Sequence, residues 1–166
     1  MKTLEKQLAT YQQLHTHPYN RLTHYVGIPL IIFSIFMLLN WISIDIATRW
    51  QISFAWILLI GVLVYYFFLN GRLAVLVTIL MIPIMLIAAW VARPAPTQLS
   101  ATLFFVFFLG GWLLQFLGHY FEKQKPAFLL SVSQLLIGPL FVILEALRTL
   151  KLEKYFIDYT HTDRSH

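Results

Sequence analysis

Five apolar runs, most of them near the length of a membrane-crossing helix, constrain this chain more than any other feature. They are Tyr25 to about Ile44, Ile52 to Leu69, Leu73 to Val91, a run from Ser100 to His119, and a fifth from after Pro126 to about Leu147. About 20 apolar residues in helical conformation cross the ~30 Å hydrocarbon core of a bilayer. Inside that core every backbone polar group must be paired within the protein, so helices are the economical solution. The expected fold is therefore all-α, a multi-spanning transmembrane bundle of about five apolar segments forming one integral membrane domain over 1–166. It divides into an interfacial first block (1–24), the bundle (25–147) and a polar tail (148–166).

Composition agrees, with 59% hydrophobic and 11% charged residues, against about 25% charged in soluble domains. Fourteen Phe, eight Tyr and five Trp suit lipid-facing helices with aromatic interfacial belts. The net charge of +5 is scattered over loops and tails, which fits anionic membrane lipids and excludes the continuous basic face that nucleic acid needs. With no cysteine, any metal must be held by nitrogen and oxygen.

Ahead of the runs, Leu4, Leu8, Tyr11 and Leu14 recur at helical spacing opposite Glu5, Lys6, Gln12 and Gln13. That pattern predicts an amphipathic helix over residues 3–15 lying on the membrane surface. Pro18 breaks it and suits the first turn of a second helix. Loops follow at Asp45 and Arg49, at Asn70-Gly71-Arg72 and at Arg93-Pro94-Ala95-Pro96, and Ser100 is the expected cap of the fourth segment. Pro83 should kink the third segment.

Alternating crossings put Lys2, Lys6, Arg21, Arg72, Lys123 and Lys125 on one side, against Arg49 and Arg93 on the other. The positive-inside rule makes the first side cytoplasmic. It also places His24 and His119 at the same face. The tail cations Arg148, Lys151, Lys154 and Arg164 join that side only if Gly138-Pro139 turns the fifth segment back as a re-entrant hairpin; a full crossing is the alternative.

His15, His17, His24 and His119 are the candidate metal ligands at that face, with Glu122 the nearest carboxylate. Neutral imidazole offers a lone pair at physiological pH, and several histidines with at most one carboxylate suit non-haem Fe(II) or zinc. Gln115, His119 and Glu122 share one helix face, as do Asn20 and His24. Structural readings stand beside each: interfacial imidazoles bonding carbonyls, an Asn20 turn cap, and Glu145 as a surface ion pair with Arg148 or a buried acid behind the site. Gly110, Gly111 and Gly118 fit close helix packing or a groove for an acyl chain.

Two blocks carry a family resemblance. The first is Tyr11, His15, Pro18, Asn20 and His24, followed by Pro29. The second is Gly111-Trp112, Gln115-Phe116, Gly118-His119, Phe121-Glu122-Lys123 and Pro126-Ala127, continuing into Pro139 and Glu145. Together they resemble the membrane 2-hydroxy-fatty-acid dioxygenases, named for metabolism of phytosphingosine to odd-numbered fatty acids. Two departures stand out: one residue fewer between His119 and Phe-Glu-Lys, which turns Glu122 by about 100° around the helix, and His17 where the family can carry Asn before Pro.

The resemblance implies an Fe(II)-dependent enzyme that uses O₂ to convert a 2-hydroxy fatty acid to CO₂ and the acid one carbon shorter. It implies His15, His24 and His119 as catalytic iron ligands; Asn20, Gln115 and Glu122 are the candidate cofactor-binding residues beside them. The implied setting is a bacterial inner membrane or endoplasmic reticulum membrane, with the site at the cytoplasmic face. A desaturase would need more histidines than the six present. The other alternative is a non-catalytic lipid-binding or haem-carrying protein.

Overall fold

A computed structural model describes residues 4–47, 50–93, 95–123, 126 and 133–156. The element order is α1 (Leu4–Gln13), α2 (Pro18–Asn40), β1 (Ser43–Ala47), β2 (Trp50–Ser53), α3 (Phe54–Leu69), α4 (Gly71–Ala92), α5 (Gln98–Glu122), α6 (Ser133–Thr149) and a 3-10 turn (Glu153–Tyr155). Three helices, α2, α4 and α5, are long and apolar enough to cross a membrane, and α3 is a shorter apolar helix. Of the five expected crossings, those of α2, α4 and α5 are supported among the described residues, and part of the fifth apolar run lies outside them. The large apolar side chains of these helices that escape the core, such as Phe68, Trp90 and Leu113, are exposed, as a lipid-facing surface requires.

The helix starts follow local chemistry. Pro18 sits at the head of α2, where a missing N–H costs nothing, and the His17 side chain accepts from the Tyr19 N–H. Asn70 caps α4 by accepting from Leu73 N–H at 3.0 Å. Thr97, not Ser100, caps α5: its hydroxyl accepts from Ser100 N–H, while the Ser100 hydroxyl accepts from Thr97 N–H. This reciprocal pairing satisfies two end donors at once.

Sequence reasoning expected no strands, yet Ser43–Ala47 and Trp50–Ser53 pair antiparallel, with Ile44 opposite Ile52. The pair is short, and each strand is too brief for alternation to betray it. It connects α2 to α3 at the end of the bundle away from the histidines.

Helices α2 and α5 pack antiparallel along the tightest seam. A Cβ on Gly27 would lie 2.9 Å from the Gly111 carbonyl, and one on Gly111 would lie 3.0 Å from the Gly27 carbonyl. Gly118 likewise leaves room for Asn20, whose Oδ1 would be 2.5 Å from an added Cβ. Gly110 faces open space.

Two expectations about the ends are corrected. The apolar face of α1 (Leu4, Leu8 and Tyr11) is buried and packs chiefly on α6, so protein covers it rather than lipid. Helix α6 does not double back at Gly138-Pro139; it is continuous over Ser133–Thr149. Pro139 lacks the N–H that would serve Leu135 and crowds the preceding turn, and Tyr66 Oη donates to the adjacent Leu136 carbonyl at 2.6 Å.

Near its start α6 meets Tyr66 at the end of α3, and near its finish Glu145 pairs with Arg21 in the first turn of α2 at 3.0 Å. Beyond it, the Phe156 carbonyl accepts from Asn70 Nδ2 at 3.0 Å. Arg21, Tyr66 and Asn70 all mark the same end of the bundle. The first part of the expected polar tail is therefore folded there, tied by Arg148 to Glu145 (2.7 Å) and Glu153 (2.6 Å). His161 and His166 lie outside the described residues.

Candidate metal centre

Where α1 ends, the chain turns before Pro18, and His15 sits in that turn, buried. His24 lies two turns into α2, and His119 one turn before the end of α5; both are buried. The antiparallel seam of α2 on α5 brings the last two together, and the α1–α2 turn swings His15 onto them. The ring centroids stand 4.5 Å (His15–His24), 5.0 Å (His15–His119) and 5.0 Å (His24–His119) apart. One nitrogen from each lies within 4.8 Å of the others.

Tautomers follow from the partners. His15 Nδ1 is 2.6 Å from the Tyr11 carbonyl and His24 Nδ1 is 2.8 Å from the Asn20 carbonyl. A carbonyl only accepts, so each Nδ1 carries the hydrogen and donates. Each Nε2 is then left with a lone pair, and these two atoms face each other at 3.1 Å. Two facing lone pairs repel unless a cation lies between them.

Burial works against a proton in that role: His15, enclosed and stacked on the Tyr11 ring at 4.0 Å, has its pKa pushed down to about 4, chiefly by desolvation. A metal ion fits better. Two nitrogens at about 2.0–2.1 Å from one ion, near 90–110° apart, stand about 3 Å from each other. His119 Nδ1 is buried with no hydrogen-bond partner, a further unsatisfied site at the same place.

The remaining expected residues are placed differently. Glu122 does not enter the grouped ligand atoms. Its Oε1 accepts from Thr16 N–H (3.0 Å) and the Thr16 hydroxyl, and its Oε2 accepts from His17 N–H (2.8 Å) and Asn20 Nδ2 (3.0 Å). It holds the turn that carries His15. Asn20 also donates to the Leu14 carbonyl at 3.3 Å and supports His24 through its backbone rather than its side chain. His17 caps α2 and stacks on Phe121, outside the cluster. Glu145 is buried, but it ties α2 to α6. Lys123 closes α5 in a left-handed conformation with φ 55°, and Lys125 is outside the described residues.

The cluster opens onto a cavity of about 300 Å³. Its wall includes His24, Ile28, Ile31, Ile32, Ile35 and Phe36, one face of α2, covering about 18 Å of helix axis at 1.5 Å per residue. Gln115 and His119 of α5 and Gln134 of α6 also line it, as does Tyr11. Gln134 is a functional candidate the sequence reading missed; its one available signal was an isolated amide beside an apolar run.

The fold and site together define a helical membrane protein with three buried histidines gathered at the polar end of a lipophilic cavity. The chain belongs to the 2-hydroxy-palmitic acid dioxygenase Mpo1-like family, whose model matches residues 1–150. It is 30% identical over 148 residues to the 2-hydroxy-palmitic acid dioxygenase MPO1 of Saccharomyces cerevisiae, covering 87% of this chain and 79% of that protein. No solved structure matches it.

Proposed function

We propose that this protein is a membrane dioxygenase that converts a 2-hydroxy fatty acid and O₂ to the fatty acid one carbon shorter, CO₂ and water. In this reading His15, His24 and His119 hold one Fe(II), consistent with a nitrogen donor set lacking thiolate. The observation that carries it is the pair of Nε2 lone pairs 3.1 Å apart at the head of the cavity. When bound, such an ion supplies Lewis acidity and the redox capacity that O₂ chemistry requires.

The chain's own residues do the rest. The Tyr11 and Asn20 carbonyls fix the imidazole tautomers of His15 and His24. The α2 face from Ile28 to Phe36 takes the acyl chain and keeps water from it, while α1 and α6 roof the polar end. A substrate that partitions into lipid thus reaches the histidines from within the bundle. The excess of Lys and Arg at this end of the helices supports a centre at the cytoplasmic face. A haem carrier fits poorly, because axial imidazoles must flank a macrocycle, whereas His15 and His24 leave only 3.1 Å between their nitrogens.

Metal analysis of anaerobically purified protein is expected to give one iron per chain. His24→Ala and His119→Ala are each expected to lose the metal and the chain-shortening of 2-hydroxypalmitic acid, read as product length by mass spectrometry. Unchanged iron and turnover in both variants would reject the assignment, and an intense Soret band would favour haem.

A further inference from the structure

Two glutamines face the cavity from different helices, and each is only 6% exposed. Gln115 lies one turn before His119 on α5, and Gln134 lies at the start of α6. In each, one side-chain atom is buried without a partner: Nε2 of Gln115 and Oε1 of Gln134. One is a donor and the other an acceptor, and buried amide groups left unpaired are costly. Around them the wall is almost wholly apolar, with Ile28, Ile31 and Trp112 among the neighbours. Space has been left for the first of them, since a Cβ on Gly27 would lie 2.5 Å from Gln115 Nε2.

An amide N–H has no lone pair for a cation, so the free atom of Gln115 calls for an acceptor rather than a metal. Resting on the dioxygenase reading above, we propose that Gln115 and Gln134 recognise the polar head of the substrate, Gln115 Nε2 donating to its carboxylate and Gln134 Oε1 accepting from its 2-hydroxyl. A carboxylate offers only acceptors and a hydroxyl brings a donor, so a 2-hydroxy acid complements this mismatched pair. An unhydroxylated fatty acid leaves Gln134 unpaired. Sites built to bond a hydroxyl reject analogues that lack it far better than apolar pockets reject an extra methylene. Gln134 is thereby the specificity-determining residue, and Gln115 the anchor for any fatty acid.

The test is equilibrium binding of 2-hydroxypalmitic acid and palmitic acid to the full-length protein in lipid nanodiscs, with and without iron. Wild type is expected to prefer the hydroxylated acid by more than about tenfold. Gln134→Met, close in size, is expected to abolish that preference by weakening only the hydroxylated acid, with metal content unchanged. Gln134→Asn, which retracts the amide by one methylene, should show a partial loss and serves as the second reading if the Met variant does not fold. Gln115→Met is expected to weaken both acids alike. Retained preference in the Gln134 variants, or unchanged affinities in Gln115→Met, would overturn the proposal and assign the two amides to trapped water. Failure of wild type to bind or shorten 2-hydroxypalmitic acid at all would instead remove the dioxygenase reading beneath it.

Discussion

At Glu122 four donors from the segment Thr16–Asn20 converge on one carboxylate. Because three of them belong to the turn just after His15, the acid sets where that imidazole stands while itself lying outside the ligand group. Outer partners of this kind typically govern metal affinity by about 10–100-fold. Glu122→Ala is expected to weaken metal binding within that range, and Glu122→Gln less so, since its amide oxygen still accepts; a metal titration of each variant checks this. His15 makes a second expectation. Its folded pKa of about 4 lies below the ordinary 6.5, so between those values the unfolded chain takes up a proton that the folded chain refuses. Stability from this residue is full above about pH 6.5 and is lost as pH falls toward 4. Thermal midpoints of the metal-free protein from pH 8 to 4 should drop across that window, and His15→Phe should flatten the drop.

The pairing of α2 with α5 is what converts two distant blocks of sequence into one site, and it depends on glycines that differ sharply in role. Gly110→Ala meets nothing within 4 Å and should be neutral or slightly stabilising, by up to about 1 kcal/mol, from helix propensity. One position on, Gly111→Ala would press its methyl to 2.7 Å from Ile31 Cγ1 and 3.0 Å from the Gly27 carbonyl. It should cost about 1–3 kcal/mol and lower metal content, a contrast readable from thermal midpoints and metal analysis side by side. Much at this scale was legible beforehand. The apolar runs marked out α2 to α5 and Pro18 marked a helix start, while the family resemblance narrowed four candidate histidines to His15, His24 and His119, the three that lie together. Other elements were not legible, for identifiable reasons. The Ser43–Ser53 hairpin is too short to show alternation, and Thr97 and Ser100 are equally good caps on paper. At Gly138-Pro139 the expected break is absent, and the turn before it packs against Tyr66, a residue far away in sequence whose hydroxyl donates to the Leu136 carbonyl. Gln134 had no partner in sequence to announce it; only the cavity did.

For the molecule as a whole, the ends of α6, the start of α2 and the turn between α3 and α4 lie together, so the described tail shares a side with α1. The absence of native cysteine makes this directly testable. Single cysteines at Gln13 and Lys151, both exposed, are expected to react with a membrane-impermeant thiol reagent from one side, and one at Ala95 from the other. Labelling of Lys151→Cys together with Ala95→Cys would mean that α6 crosses after all. The placement of His15 carries one more consequence. The turn that bears it is fastened by Glu122, whose bond to Thr16 joins positions 106 apart, and both belong to opposite ends of synthesis. A ribosome releases the first imidazole long before the helix bearing the last one has entered the bilayer. The three histidines therefore cannot meet until α5 has been made and inserted, and the metal proposed for them can bind only after that step, an order imposed by translation itself.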